Sequence, residues 1–131
     1  MQKILQPFKY YTPLISWIDW TAITLPYDSP ILAVLATKSL LAYSRLNLRL
    51  VFDGAGTDST ILAYIKCGED LLDPSNMVKV YTINNDVAFS PIGAPVFIQS
   101  IVPYRYIQLH IEQATGTTTD SFCSAAVTGI T

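Results

Sequence analysis

The chain's only histidine, His110, lies two residues from Glu112 in the stretch YRYIQLHIEQATGTTTDSFCSAAV, residues 104–127, which also holds several hydroxyls, Asp120 and Cys123. Such residues are the raw material of nucleophilic catalysis, which needs a base hydrogen-bonded to a nucleophile. The local pattern argues against it. Ile107, Leu109 and Ile111 alternate with Tyr106, Gln108, His110 and Glu112. Period two is the mark of a half-buried strand, so the polar set faces outward. No G-x-S-x-G elbow occurs. The stretch reads as a β-hairpin with ATGTTTD, residues 114–120, as its turn.

Other chemistry fares no better. Glycoside hydrolysis needs two carboxylates held in different environments, yet Glu112 is the only glutamate on a predicted strand. Asp53 and Asp58 flank Gly-Ala-Gly-Thr, and GEDLLDPSN offers Glu69, Asp70, Asp73 and Asn76. Oxygen ligands on loops can hold calcium, but neither spacing is that of an EF-hand, and turns require the same residue types. Zinc would have one histidine and two distant cysteines to use. DGAGTD lacks the Lys-Ser/Thr ending of a phosphate loop. Cys67 and Cys123 both fall on the inward parity of their strands, as buried thiols do; a bridge would need those strands to be neighbours. The expectation is a protein that is not an enzyme, with no catalytic residue, cofactor or metal.

The elements that would carry these residues are strands. Leu46, Leu48, Leu50 and Phe52 share one face of Arg45–Phe52, with Arg45, Asn47 and Arg49 on the other. Ile61, Ala63, Ile65 and Cys67 form the inward set of Ser59–Cys67. Val78–Ile83, Val96–Val102, Tyr104–Gln113 and Phe122–Thr128 are further strands. DGAGTDS, residues 53–59, reads as a second hairpin turn, and Asn84-Asn85-Asp86 as another turn. PILAVLATKSLLAYS, residues 30–44, fits a buried helix or a buried strand pair; its strand neighbours favour strands. Short strands separated by turns predict an all-β antiparallel sandwich over residues 30–131.

Residues 1–29 differ. They carry Phe8, Tyr10, Tyr11, Trp17, Trp20 and Tyr27, with prolines at 7, 13 and 26. Frequent prolines favour extended chain. Aromatics on such an arm would suit docking against a neighbour, so these six are the candidate interface residues. Alternatively, Leu14–Ile23 is the first strand of the domain.

The totals point the same way. One domain fits 131 residues. Charged residues make up 14%, against about 25% in a typical domain. The net charge is −2, the pI about 5.1 and the mean hydropathy +0.35. Scattered basic residues do not suit nucleic acid. The longest apolar run, Ile31–Ala36, is far too short for a membrane span. Lys3 is followed by Ile4-Leu5 and then Gln6-Pro7, so no secretory leader develops and the chain reads as made in the cytoplasm. The apolar surplus is then expected at a subunit interface.

Residues 45–129 resemble a small jelly-roll sandwich that recurs in virion proteins of tailed bacteriophages. The likeness lies in RLNLRLVFDG, a Gly/Thr turn, TILAYIKCGED, and the terminal VPYRYIQLHIEQATGTTTDSFCSAAVT. The loop after GED reads LLDPSNMVK in place of the Gly-Gly-Thr-Trp stretch often found there, and residues 1–44 have no counterpart. The resemblance implies a capsid decoration (cement) protein located in the virion. It also implies self-association as a homotrimer and contact with the major capsid protein or another virion protein. A tail-borne receptor- or carbohydrate-binding sandwich is the alternative.

Overall fold

A computed structural model describes residues 14–35, 37–54, 59–69, 76–83, 87–116 and 120–131. The chain is an all-β protein of antiparallel sheets packed on one another. Its strands are β1 (Ile15–Ile23), β2 (Tyr27–Asp28), β3 (Val34–Leu35), β4 (Lys38–Ser39), β5 (Arg45–Gly54), β6 (Thr60–Gly68), β7 (Val78–Thr82), β8 (Val96–Ile101), β9 (Tyr106–Thr115) and β10 (Ser121–Ile130). One four-stranded sheet has the order β1-β10-β5-β8 and the other β2-β9-β6-β7. The small β3–β4 pair and a single 3₁₀ turn, Leu40–Ala42, occupy the ambiguous 30–44 region.

Alternation builds the core. Leu46, Leu48, Leu50 and Phe52 on β5, Ile61, Ala63, Ile65 and Cys67 on β6, and Ile107, Leu109 and Ile111 on β9 are all buried. Cys123, Ala125 and Val127 add a small-residue stripe from β10. Side chains two apart share a face, so each strand delivers its whole apolar set to one layer. Phe52, Phe89 and Phe97 pack ring against ring, with centroids 4.4–6.2 Å apart. Offset and edge-on contacts of this kind add to area burial.

The pairing is nested. β6 pairs with β7, β5 with β8, β2 with β9 and β1 with β10, always antiparallel. The chain is thus one long folded-over ribbon, closed by the β5–β10 and β6–β9 ladders.

Both hairpins expected from the turn residues are corrected by this topology. β5 and β6 lie in different sheets, as do β9 and β10. The connections therefore arch across the core. In a hairpin, the two apolar sets would sit side by side in one layer. Arching brings them into one core from opposite layers, which buries both. Gly and Asp serve either connection, because each needs left-handed backbone: φ is 70° at Gly116 and 49° at Asp120.

Leu14–Ile23 holds a strand, β1, running antiparallel to β10. Residues 1–13, and with them Phe8, Tyr10 and Tyr11, lie outside the described residues, as does the turn at residues 84–86.

Candidate functional site

Among the described residues, a polar cluster sits on the outer face of the β2-β9-β6-β7 sheet. Tyr64 faces His110 across the β6–β9 ladder, and Asp28 is in register with His110 across β2–β9. Nδ1 of His110 lies 2.7 Å from Asp28 Oδ1, and Nε2 lies 3.2 Å from Glu112 Oε2. The Tyr64 hydroxyl donates to the same Glu112 oxygen at 3.2 Å. The Tyr64 and His110 rings are 4.8 Å apart. Lys66 Nζ approaches Asp28 at 3.6 Å, and Lys79 Nζ stands 4.8 Å above the Tyr64 ring. Burial raises the Tyr64 phenol above its usual value, and the Glu112 charge adds to the effect.

This arrangement does not make a general base. An Asp–His pair activates a nucleophile through the free ring nitrogen, but here that nitrogen faces a second carboxylate. The nearby Ser29 hydroxyl accepts from Leu109 N–H and donates to the Pro30 carbonyl. It serves the backbone. The two carboxylates lie on opposite sides of the imidazole, so the three groups do not share one coordination point. Among the described residues no three His, Cys, Asp or Glu side chains gather as a metal site. Of the loop residues weighed for calcium, Asp58, Asp70 and Asp73 lie outside the described residues. His110 side-chain exposure is 14%, so the cluster is a polar plaque on a sheet face that holds β2 against β9.

Cys67 and Cys123 are free and buried. Burial pushes the Cys67 thiol up to about 12 and the Cys123 thiol up to about 11. Neither is a nucleophile at neutral pH, since the thiolate is the reactive form.

The aromatic candidates divide. Trp17 is half-buried against the core and donates its indole N–H to the Pro30 carbonyl at 3.0 Å. Tyr27 also packs on the core; burial raises its phenol, with Cys123 a smaller cause. Trp20 is 52% exposed and lies parallel to Phe122, with ring centroids 5.7 Å apart. It forms an apolar plateau on the outer face of the β1-β10-β5-β8 sheet.

The larger apolar surface was not among the candidates. Among the described residues, seven of the eleven exposed large hydrophobics fall between Val78 and Val102: Val78, Val80, Val87, Ile92, Val96, Ile98 and Val102. They belong to β7, β8, the chain between them and, for Val102, the residue just after β8. Both strands are edges, and the Tyr81 hydroxyl of β7 accepts the Val102 N–H just beyond β8 at 2.9 Å. Exposed apolar side chains therefore concentrate along this side of the sandwich, with Lys79 among them. A sequence signal for it exists, because residues 87–104 contain no charged residue.

Compared with known proteins, the chain matches no family model, no curated protein and no solved structure.

Proposed function

We propose that the chain is a virion structural subunit, most specifically a capsid decoration protein, which works by contact with other chains and carries out no chemistry. The observation that carries this reading is the group of exposed apolar side chains on β7, β8 and the chain around them, which is interrupted by Lys79 alone among the described charged residues from Val78 to Val102. Exposed apolar side chains scattered singly are ordinary, but a contiguous group is a mark of a protein interface. The nested strand order supports the jelly-roll part of the reading, since eight strands folded as a double Greek key pair in this way. A subunit that binds only the assembled shell stabilises it by mass action, and symmetry repeats each contact over many copies. The test is sedimentation of the purified chain with shells of the phage that encodes it. The chain should travel with the shells and raise the temperature at which they rupture. A chain left at the top of the gradient overturns the proposal.

The Trp20–Phe122 plateau favours a second reading, a carbohydrate-binding module, because an exposed tryptophan stacked on a half-buried ring suits the apolar face of a sugar ring. Glycan-array binding that disappears in Trp20→Ala would establish it; an array without hits would remove it.

A further inference from the structure

We propose that the outer edge of β8 is a homodimer interface, where Val96–Ser100 pairs antiparallel with the same strand of a second copy about a two-fold axis through Ile98. The proposal rests on the reading of the chain as a subunit that acts through contact with other chains.

The two four-stranded sheets have four edges between them: β1, β8, β2 and β7. An open edge presents unpaired N–H and C=O groups, and proteins blunt it with charge, bulges, proline or shortness. Three of the four edges are blunted. β1 carries Asp19 and two register shifts against β10. β2 is two residues long, carries Asp28 and runs into Pro30. β7 carries Lys79 and pairs with β6 through a register shift. β8 has none of these. Its six residues pair with β5 without a break, none is charged, and none is proline.

Backbone geometry specifies the occupant. Phe52 donates its N–H to the Pro95 carbonyl at 3.2 Å. Hydrogen-bonded pairs alternate along an antiparallel ladder, so Phe97, Gln99 and Ile101 turn their backbone groups to β5. Val96, Ile98 and Ser100 turn theirs away from the sheet. The next outward N–H, that of Val102, is taken by Tyr81 Oη, which closes the open stretch at that end. What remains is a short row of donors and acceptors without a partner among the described residues, which only an extended strand can satisfy together. The row is symmetric about Ile98. In an antiparallel pairing centred there, Ile98 faces its own copy and Val96 faces Ser100, each pair exchanging two N–H···O bonds.

The side chains agree with a self-complementary, two-fold contact. Ile98 is 76% exposed, the most exposed large hydrophobic among the described residues. Pairing would set it against its own copy on the outer face. Arg45 Nε donates to Ser100 Oγ at 3.1 Å at one end of the row, and the nearest charge level with Ile98 is Arg49, one strand in. Two such arginines would be separated by three strand spacings, ~14 Å, beyond the ~8 Å over which salt screens exposed charges. No like-charge contact opposes the pairing.

The test is the mass of the full chain in solution by light scattering across a wide range of concentration, with three variants. The wild type should approach twice its 14.5 kDa chain mass. Ile98→Lys sets two ammonium groups against each other at the axis and should weaken the dimer about a hundredfold or more. Ile98→Pro removes an N–H that β5 does not use, so the monomer keeps its ladder and only the dimer is lost. Should that variant fail to fold, Ile98→Lys decides. Trp20→Ala, on β1 at the other edge of this sheet, should remain dimeric. A wild-type monomer, a trimer, or a dimer indifferent to Ile98→Lys overturns the pairing. A trimer or monomer that still binds shells leaves the assembly function standing; a β8 dimer that binds no shell removes that setting and keeps the interface.

Discussion

Asp28 Oδ1 lies 2.7 Å from Nδ1 of His110, although the two residues are 82 positions apart in the chain. Nested pairing brings them together: β2 is laid along β9, with Asp28 in register with His110. The other ring nitrogen faces Glu112. Two carboxylates therefore bracket one imidazole. A neutral ring has one N–H to give, so both contacts become hydrogen bonds only when the ring is doubly protonated.

Replacing His110 by Ala should destabilise the fold by about 1–2 kcal/mol, because it removes both contacts and the packing on Tyr64. Asp28→Asn should cost less, since Asp28 is half-exposed and its ion pairs are screened. Urea unfolding of the two variants checks the order. Equal stability of wild type and His110→Ala would show that the bracket does not tie β2 to β9.

The strands were legible in the sequence because alternation is a local signal. Leu46 to Phe52 and Ile107 to Ile111 announce their buried faces without reference to any other strand. Which strands become neighbours is not local. Gly116 and Asp120 mark a change of direction equally well for a hairpin and for an arch, so the sheet assignment of β9 and β10 could not be read from the turn. The same limit hid the site. Nothing near Asp28 in sequence points to His110, and nothing near Trp20 points to Phe122. The part of the exposed apolar group from Val87 to Val102 was legible as a charge-free run, but its exposure depends on β8 being an edge.

Gly129 should tolerate no side chain. On β10 it faces the ring of Tyr43, and a Cβ there would overlap the ring. Tyr43 is itself buried, and its hydroxyl donates to the Leu35 carbonyl at 3.3 Å. Gly129→Ala should cost about 1–3 kcal/mol through overpacking. The cost should shrink in a Tyr43→Ala background, a coupling that a double-mutant cycle reads directly. Additive effects would mean that the ring moves aside freely.

Ser121 offers the opposite change. At the start of β10 its hydroxyl is buried and has no hydrogen-bond partner among the described residues. An unpaired buried hydroxyl costs about 1–3 kcal/mol of desolvation. Ser121→Ala removes it for one atom of lost packing, so the variant should unfold at equal or higher denaturant concentration than the wild type. A drop of more than about 1 kcal/mol would show that the hydroxyl is bonded in solution.

The two thiols set an alkaline limit on stability. In the unfolded chain a cysteine loses its proton near pH 8.5, whereas burial holds Cys67 up to about 12 and Cys123 up to about 11. Above the unfolded value the native chain binds more protons than the unfolded one, so unfolding releases protons and is favoured as pH rises. The stabilising term is whole below about pH 8.5. It is lost progressively up to about 11 for Cys123 and about 12 for Cys67. Each thiol contributes a slope of up to ~1.4 kcal/mol per pH unit in that window. The phenols of Tyr27 and Tyr64, also raised, add to the fall near its upper end. Denaturant midpoints measured from pH 8 to pH 11 should therefore decline. A Cys67→Ala, Cys123→Ala double variant, though less stable at neutral pH, should decline less steeply. Equal slopes for the two proteins would mean that the thiols ionise in the folded state as readily as in the unfolded chain.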